Sequence, residues 1–184
     1  PASTVLICSS TTSMTGCDYT CDGTDDDVQI QAAHDNLDGG RILFSEGQFN
    51  FGATVTISKV FFLFEGMGAE TVFRMQDSTN VDMFETDVDA VTNGIVFKRF
   101  YAQGNKSNNT SGGFFNNGAG LSYISDVILE DVFIWDFPDD AITTSQAWGF
   151  VCKECIIEQN DGWGIVVSGG DEYKIVNSHI TENG

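Results

Sequence analysis

Val127-Ile128-Leu129-Glu130-Asp131-Val132-Phe133-Ile134, Phe150-Val151-Cys152-Lys153-Glu154-Cys155-Ile156-Ile157 and Tyr173-Lys174-Ile175-Val176-Asn177-Ser178-His179-Ile180 align without a gap at a step of 23 residues. In each copy the first, third, sixth and eighth positions are apolar or small, which is strand alternation broken once by an extra residue. A second short strand keeps the same step, because Ala141-Ile142-Thr143-Thr144 lies 23 residues before Gly164-Ile165-Val166-Val167. Short strands at a fixed period in the low twenties predict a solenoid whose turns stack on one another.

Burial is the physical reason. One coil cannot hide its inward side chains alone, but coils stacked at roughly 4.8 Å share one core. The predicted inward columns are Val127/Phe150/Tyr173, Leu129/Cys152/Ile175, Val132/Cys155/Ser178 and Ile134/Ile157/Ile180. Asp131, Glu154 and Asn177 fall at the break, where polar side chains can bond the turn backbone.

Reading outward to the start of the chain, Thr4-Val5-Leu6-Ile7-Cys8 forms a first strand, followed by a Ser/Thr-rich loop. The run Cys21 to Gly40 then predicts one short amphipathic helix. Asp22, Asp25, Asp26 and Asp27 sit at its positive dipole end, Ile30, Ala33 and Leu37 share a face, and Gly39-Gly40 ends it. Residues 41–44, 47–51 and 53–57 read as strands, and 62–68 and 95–100 as parts of further coils. From Ile95 to Val127 the step is 32, nine more than the period, and the Asn/Gly/Ser-rich segment 104–120 is the predicted loop insertion, thrown out from the wall.

The string Asp22-Gly23-Thr24-Asp25-Asp26-x-x-x-Ile30-Gln31-x-Ala33, followed by Gly39-Gly40-Arg41-Ile42-x-Phe44-x-x-Gly47-x-Phe49, resembles the entry region of the pectate-lyase-like right-handed parallel β-helix superfamily. The resemblance covers about residues 4–73; Ser45-Glu46 and Phe49 are departures from its usual proline and tyrosine. It implies an all-β fold, a right-handed single-stranded parallel β-helix with a short N-terminal capping α-helix that plugs the first coil. The predicted domain is single, 1–184, with the entry strand, Cys-rich loop and cap in 1–40 and the coils in 41–184. The superfamily holds polysaccharide lyases, hydrolases, epimerases, phage tailspikes and non-catalytic surface proteins, so the fold does not choose among them.

Charge narrows the classes. The chain has 27 acidic and 8 basic residues and a formal net charge of −19. Nucleic acid is excluded as a partner, since counterion release needs Lys and Arg clusters, and no apolar run approaches the roughly 20 residues of a membrane span. Cys8, Cys17 and Cys21 near the terminus are disulfide candidates, which points to an extracellular or cell-surface location. Asn105, Asn108 and Asn109 are three overlapping N-glycosylation acceptors in seven residues. The early aspartates fail the spacing of a calcium loop, so calcium is a minor possibility and no cofactor is predicted.

For chemistry, a hydrolase needs carboxylates facing one cleft, and Asp136, Asp139, Asp140, Glu158 and Asp161 lie near turns of adjacent coils with Trp135 and Trp163. A lyase needs a base among uronate-binding groups, and the outward column Val96/Ile128/Val151/Lys174 supplies no carboxylates to accompany its lysine. The columns Tyr101/Phe133/Ile156/His179 and Val96/Ile128/Val151 instead form an apolar stripe predicted to face outward, a surface for association. The chain stops within a coil at Gly184, which reads as an end open to another copy. Sequence alone therefore predicts a non-catalytic structural protein, a homo-polymer associating head to tail into a filament, sheath or surface layer. The alternative is a carbohydrate-active module, a polysaccharide hydrolase or lyase or a tailspike-like glycan binder.

Overall fold

The structure, a computed structural model, describes residues 3–87, 92–117 and 124–184. Strands β1 (Ser3–Cys8) and β2 (Tyr19–Thr20) and helix α1 (Asp27–Asp35) form the entry. Coil 1 holds β3 (Gly40–Phe44), β4 (Gly47–Phe51) and β5 (Val55–Ile57), and coil 2 holds β6 (Phe62–Glu65), β7 (Thr71–Met75) and β8 (Phe84–Thr86). Coil 3 is β9 (Thr92–Gln103) with β10 (Phe115–Asn116), and coil 4 is β11 (Ile124–Trp135) with β12 (Ile142–Trp148). Coil 5 holds β13 (Val151–Lys153), β14 (Ile156–Glu158) and β15 (Ile165–Asp171), and coil 6 holds β16 (Lys174–Val176) and β17 (His179–Thr181).

All pairings between coils are parallel and make three faces. Face A stacks β1, β3, β6, the first half of β9, that of β11, β13 and β16. Face B stacks β4, β7, the second halves of β9 and β11, β14 and β17. Face C stacks β5, β8, β10, β12 and β15. The 23-residue register is as the sequence predicts, with Leu129↔Cys152↔Ile175 and Ile134↔Ile157↔Ile180.

The break in the alternation is a corner. Arg99, Asp131, Glu154 and Asn177 all take left-handed backbone, φ 51° to 56°, so the residues two before and one after both point inward. Tolerance of that conformation, rather than side-chain bonds to the turn, accounts for the polar residues there. Inside, coils 1 to 3 are packed with phenylalanine: Phe44, Phe49, Phe73, Phe84, Phe97 and Phe114 are fully buried in edge-to-face and tilted contacts 4.8 to 5.9 Å apart. Coils 4 and 5 continue with Leu129, Ile134, Cys152 and Ile157, all buried. On coil 6 the same columns end in Ile175 and Ile180, which are exposed.

Two expectations need correction. The short helix forms within Cys21 to Gly40 as expected, but its early aspartates make no side-chain cap on it. Asp26 accepts from the main-chain N–H groups of Gly23 (2.9 Å) and Asn50 (2.7 Å), and Asp27 from that of Gly52 (2.7 Å). They tie the helix to coil 1 instead of satisfying its own N-terminus. The segment after Gln103 is not thrown out either. Through Asn117 it packs onto coil 2, burying Asn105, Asn109, Phe114 and Phe115, because it has its own strand, β10, to deliver to face C. The rest of the predicted insertion, from 118 onward, lies outside the described residues.

Candidate functional site

The turns from face B to face C stack as a row: 76–83, 104–114, 136–141 and 159–164. Asn109 clamps two of them, its Oδ1 accepting from Thr79 N (3.0 Å) and Asn80 N (3.2 Å) and its Nδ2 donating to Gln76 O (2.8 Å). The stacking is tight enough that a Cβ on Gly113 would lie 2.2 Å from Asp140 O, and one on Gly162 2.4 Å from Asp140 N. An open cleft of about 250 Å³ follows, lined by Asn80, Asp82, Ser111, Asn116, Asp139, Asp140 and Thr143.

Its carboxylates have different duties. Asp82 is bonded through both oxygens, to Gly113 N (2.6 Å) and Asn116 Nδ2 (2.9 Å), and so fixes the amide of Asn116. Asp139 accepts from Asp140 N (2.9 Å) and Asp140 from Trp163 N (2.7 Å), each through Oδ1, which leaves Oδ2 of both without a protein partner among the described residues. Trp163 meets them only through its main-chain N–H on Asp140; the residue is 65% exposed and lines a separate groove with Ile175 and Ile180. The lining is acidic and amide-bearing, suited to hydroxyl groups.

No protein-family model and no curated protein sequence matches the chain. Solved structures do. The A-modules of mannuronan C-5 epimerases AlgE6 and AlgE4 from Azotobacter vinelandii superpose with TM-scores of 0.63 and 0.61 at 16% and 18% identity, over 88% of this chain and 53% and 54% of theirs. ORF18 of Geobacillus virus E2 gives 0.61 at 14% identity, over 87% of this chain and 38% of its own. The fold is the pectate-lyase-like right-handed parallel β-helix. This chain spans about half the length of the epimerase modules it matches.

On this β-helix the residues singled out in the sequence scatter. Asp139 and Asp140 come together in the cleft. Asp161 instead pairs with Lys106 at 2.9 Å, Asp136 accepts from Gln103 (3.3 Å), and Trp135 stands next to Glu158 on face B, stacked on Phe133. Asp82 and Asn116 were missed, since their coils are about 31 residues apart rather than 23. The only signal for them is the register of Phe84 with Phe115, which an irregular spacing hides.

The other sites are also placed. Cys8 bonds Cys17, whereas Cys21 is buried without a bridge, its thiol pushed up by burial and by Asp26. The amides of Asn105 and Asn109 are buried and bonded to the main chain; Asn108 is exposed. Tyr101, Phe133, Ile156 and His179 form one outward column and Val96, Ile128 and Val151 another; Tyr101, Ile156 and His179 are exposed and the rest half-buried. Among the described residues no cluster of three or more His, Cys, Asp or Glu is arranged to hold a metal.

Proposed function

We propose that this chain is part of a carbohydrate-active protein and that a polysaccharide lies in the cleft of Asp82, Asp139 and Asp140 for hydrolysis. The observation that carries the reading is two neighbouring carboxylates, each with one oxygen unbonded among the described residues, at an open cleft. Glycoside hydrolysis uses a carboxyl pair, one to protonate the leaving oxygen and one to act as base or nucleophile. Likeness of fold to the epimerase modules agrees with a carbohydrate ligand. The carboxylate lining supports hydrolysis over proton abstraction from a uronate, which calls for a basic residue.

The test is release of reducing ends from a panel of polysaccharides. Asp139→Asn and Asp140→Asn are each expected to lower release by about 100-fold or more. Release by both variants equal to that of the wild type, or none from any polysaccharide by the wild type, contradicts the proposal.

Self-association into a filament, sheath or surface layer is a second reading. It is supported by the outward apolar column, with Ile156 42% exposed. An extracellular setting, with a glycan on Asn108, fits either reading and is supported by the Cys8–Cys17 bridge. Light scattering that shows a monomer at all salt and calcium concentrations removes the second reading.

A further inference from the structure

Apart from Trp163, the most exposed large aromatic side chains among the described residues are Phe61 (69%) and Trp148 (48%). Both lie at the corner where face C turns into face A. Phe61, Gly94, Asp126, Gly149 and Glu172 occupy equivalent positions there, and all have left-handed backbone, φ 56° to 78°. Four of the five are glycine or acidic. A phenylalanine in that conformation is an outlier, and such outliers gather at functional positions.

The Phe61 ring rests on Gly94, where a Cβ would come within 2.7 Å of its Cδ1, and it borders an open apolar groove of about 540 Å³. Trp148 lies in register with Ser125 and Asn93, three rungs from Phe61, about 14 Å at the usual strand spacing. Between the rings runs a polar strip, with Ser125 Oγ donating to Asn93 Oδ1 at 2.9 Å. Asp126, Asp171 and Glu172 border a second groove around Trp148.

We propose that this edge is a glycan-binding strip separate from the cleft, and that its ligand is an uncharged polysaccharide lying along the solenoid axis. Sugar rings stack on Phe61 and Trp148, and hydroxyl groups donate to the carboxylates between and beyond them. Charge selects the class. Three carboxylates at the Trp148 end repel a uronan, while Arg41, Lys98, Arg99 and Lys153 are held on face A by Glu65 and Glu130. The inference rests on the carbohydrate reading above.

Affinity electrophoresis of the chain in gels containing hydroxyethyl cellulose or alginate tests it, with melting temperature as the control for folding. Hydroxyethyl cellulose retards the wild type, and Phe61→Gly and Trp148→Ala each weaken binding by about three- to tenfold. Phe61→Gly keeps the corner, since glycine takes its φ freely, and Trp148→Phe retains most of the affinity. Asp139→Asn and Asp140→Asn remain retarded. Retardation lost in those cleft variants but kept in the Phe61→Gly/Trp148→Ala double variant overturns the strip and leaves the cleft. Stronger retardation by alginate overturns the uncharged class, and no retardation by either overturns the strip while leaving the cleft to the reducing-end assay.

Discussion

The side-chain amide of Gln31 hydrogen-bonds the main chain of Thr56 in both directions, Nε2 to the carbonyl at 3.1 Å and Oε1 from the N–H at 2.7 Å. With Asp26 on Asn50 and Asp27 on Gly52, three side chains of the cap replace the backbone of a missing coil and satisfy the sheet edge of coil 1. Gln31→Leu leaves that donor and acceptor of Thr56 unpaired. A loss of about 2–3 kcal/mol is expected in urea unfolding, with faster hydrogen exchange at Thr56.

His34 gives the cap a pH dependence. Its ring is fully buried 4.7 Å from that of Phe62, and burial holds its pKa below the usual histidine value despite the bond to Asp35 and with Lys59 nearby. The folded state binds fewer protons than the unfolded one, so stability is lost as pH falls below the unfolded value of about 6.5. Thermal melts of His34→Phe should show a flatter slope between about pH 6.5 and 5 than those of the wild type.

The asparagine clamp is separable from glycosylation. Asn109→Ala removes the acceptor for two main-chain N–H groups, and a destabilisation of about 3 kcal/mol is expected in denaturant titration. Asn108→Gln should leave stability unchanged. Secreted from a eukaryotic host, the chain should carry a glycan at Asn108 alone, read by mass spectrometry.

How far the sequence carries can be seen residue by residue. The columns Leu129/Cys152 and Ile134/Ile157 were legible because a strict 23-residue step leaves one register, and the string from Asp22 to Ala33 announced the cap. The cap's mechanism was not, since Asp26, Asp27 and Gln31 act on partners 24 or 25 residues away. Asp82 was invisible for the same reason, because its partners belong to a coil of different length. Asn105 and Asn109 misled: a polar run looks like a surface loop, but amides bonded to the main chain can be buried as well as any apolar group.

On face A, Glu130 accepts from Lys98 at 3.0 Å and Lys153 at 2.8 Å, spanning three coils, and both lysines hold its pKa below the usual glutamate value. The stability this gives is present above the unfolded pKa and is lost as pH falls through the depressed folded one. Glu130→Gln should cost about 1 kcal/mol at low salt near neutral pH. The difference from the wild type should shrink in 1 M salt and below about pH 4, as measured by paired melts.

A crystal structure of the chain with an oligosaccharide taken from a polysaccharide that it cleaves is the most direct measurement. The account predicts a sugar ring in the cleft, with hydroxyl groups on Asp139, Asp140 and Asn116. An oligosaccharide bound with that cleft empty contradicts it.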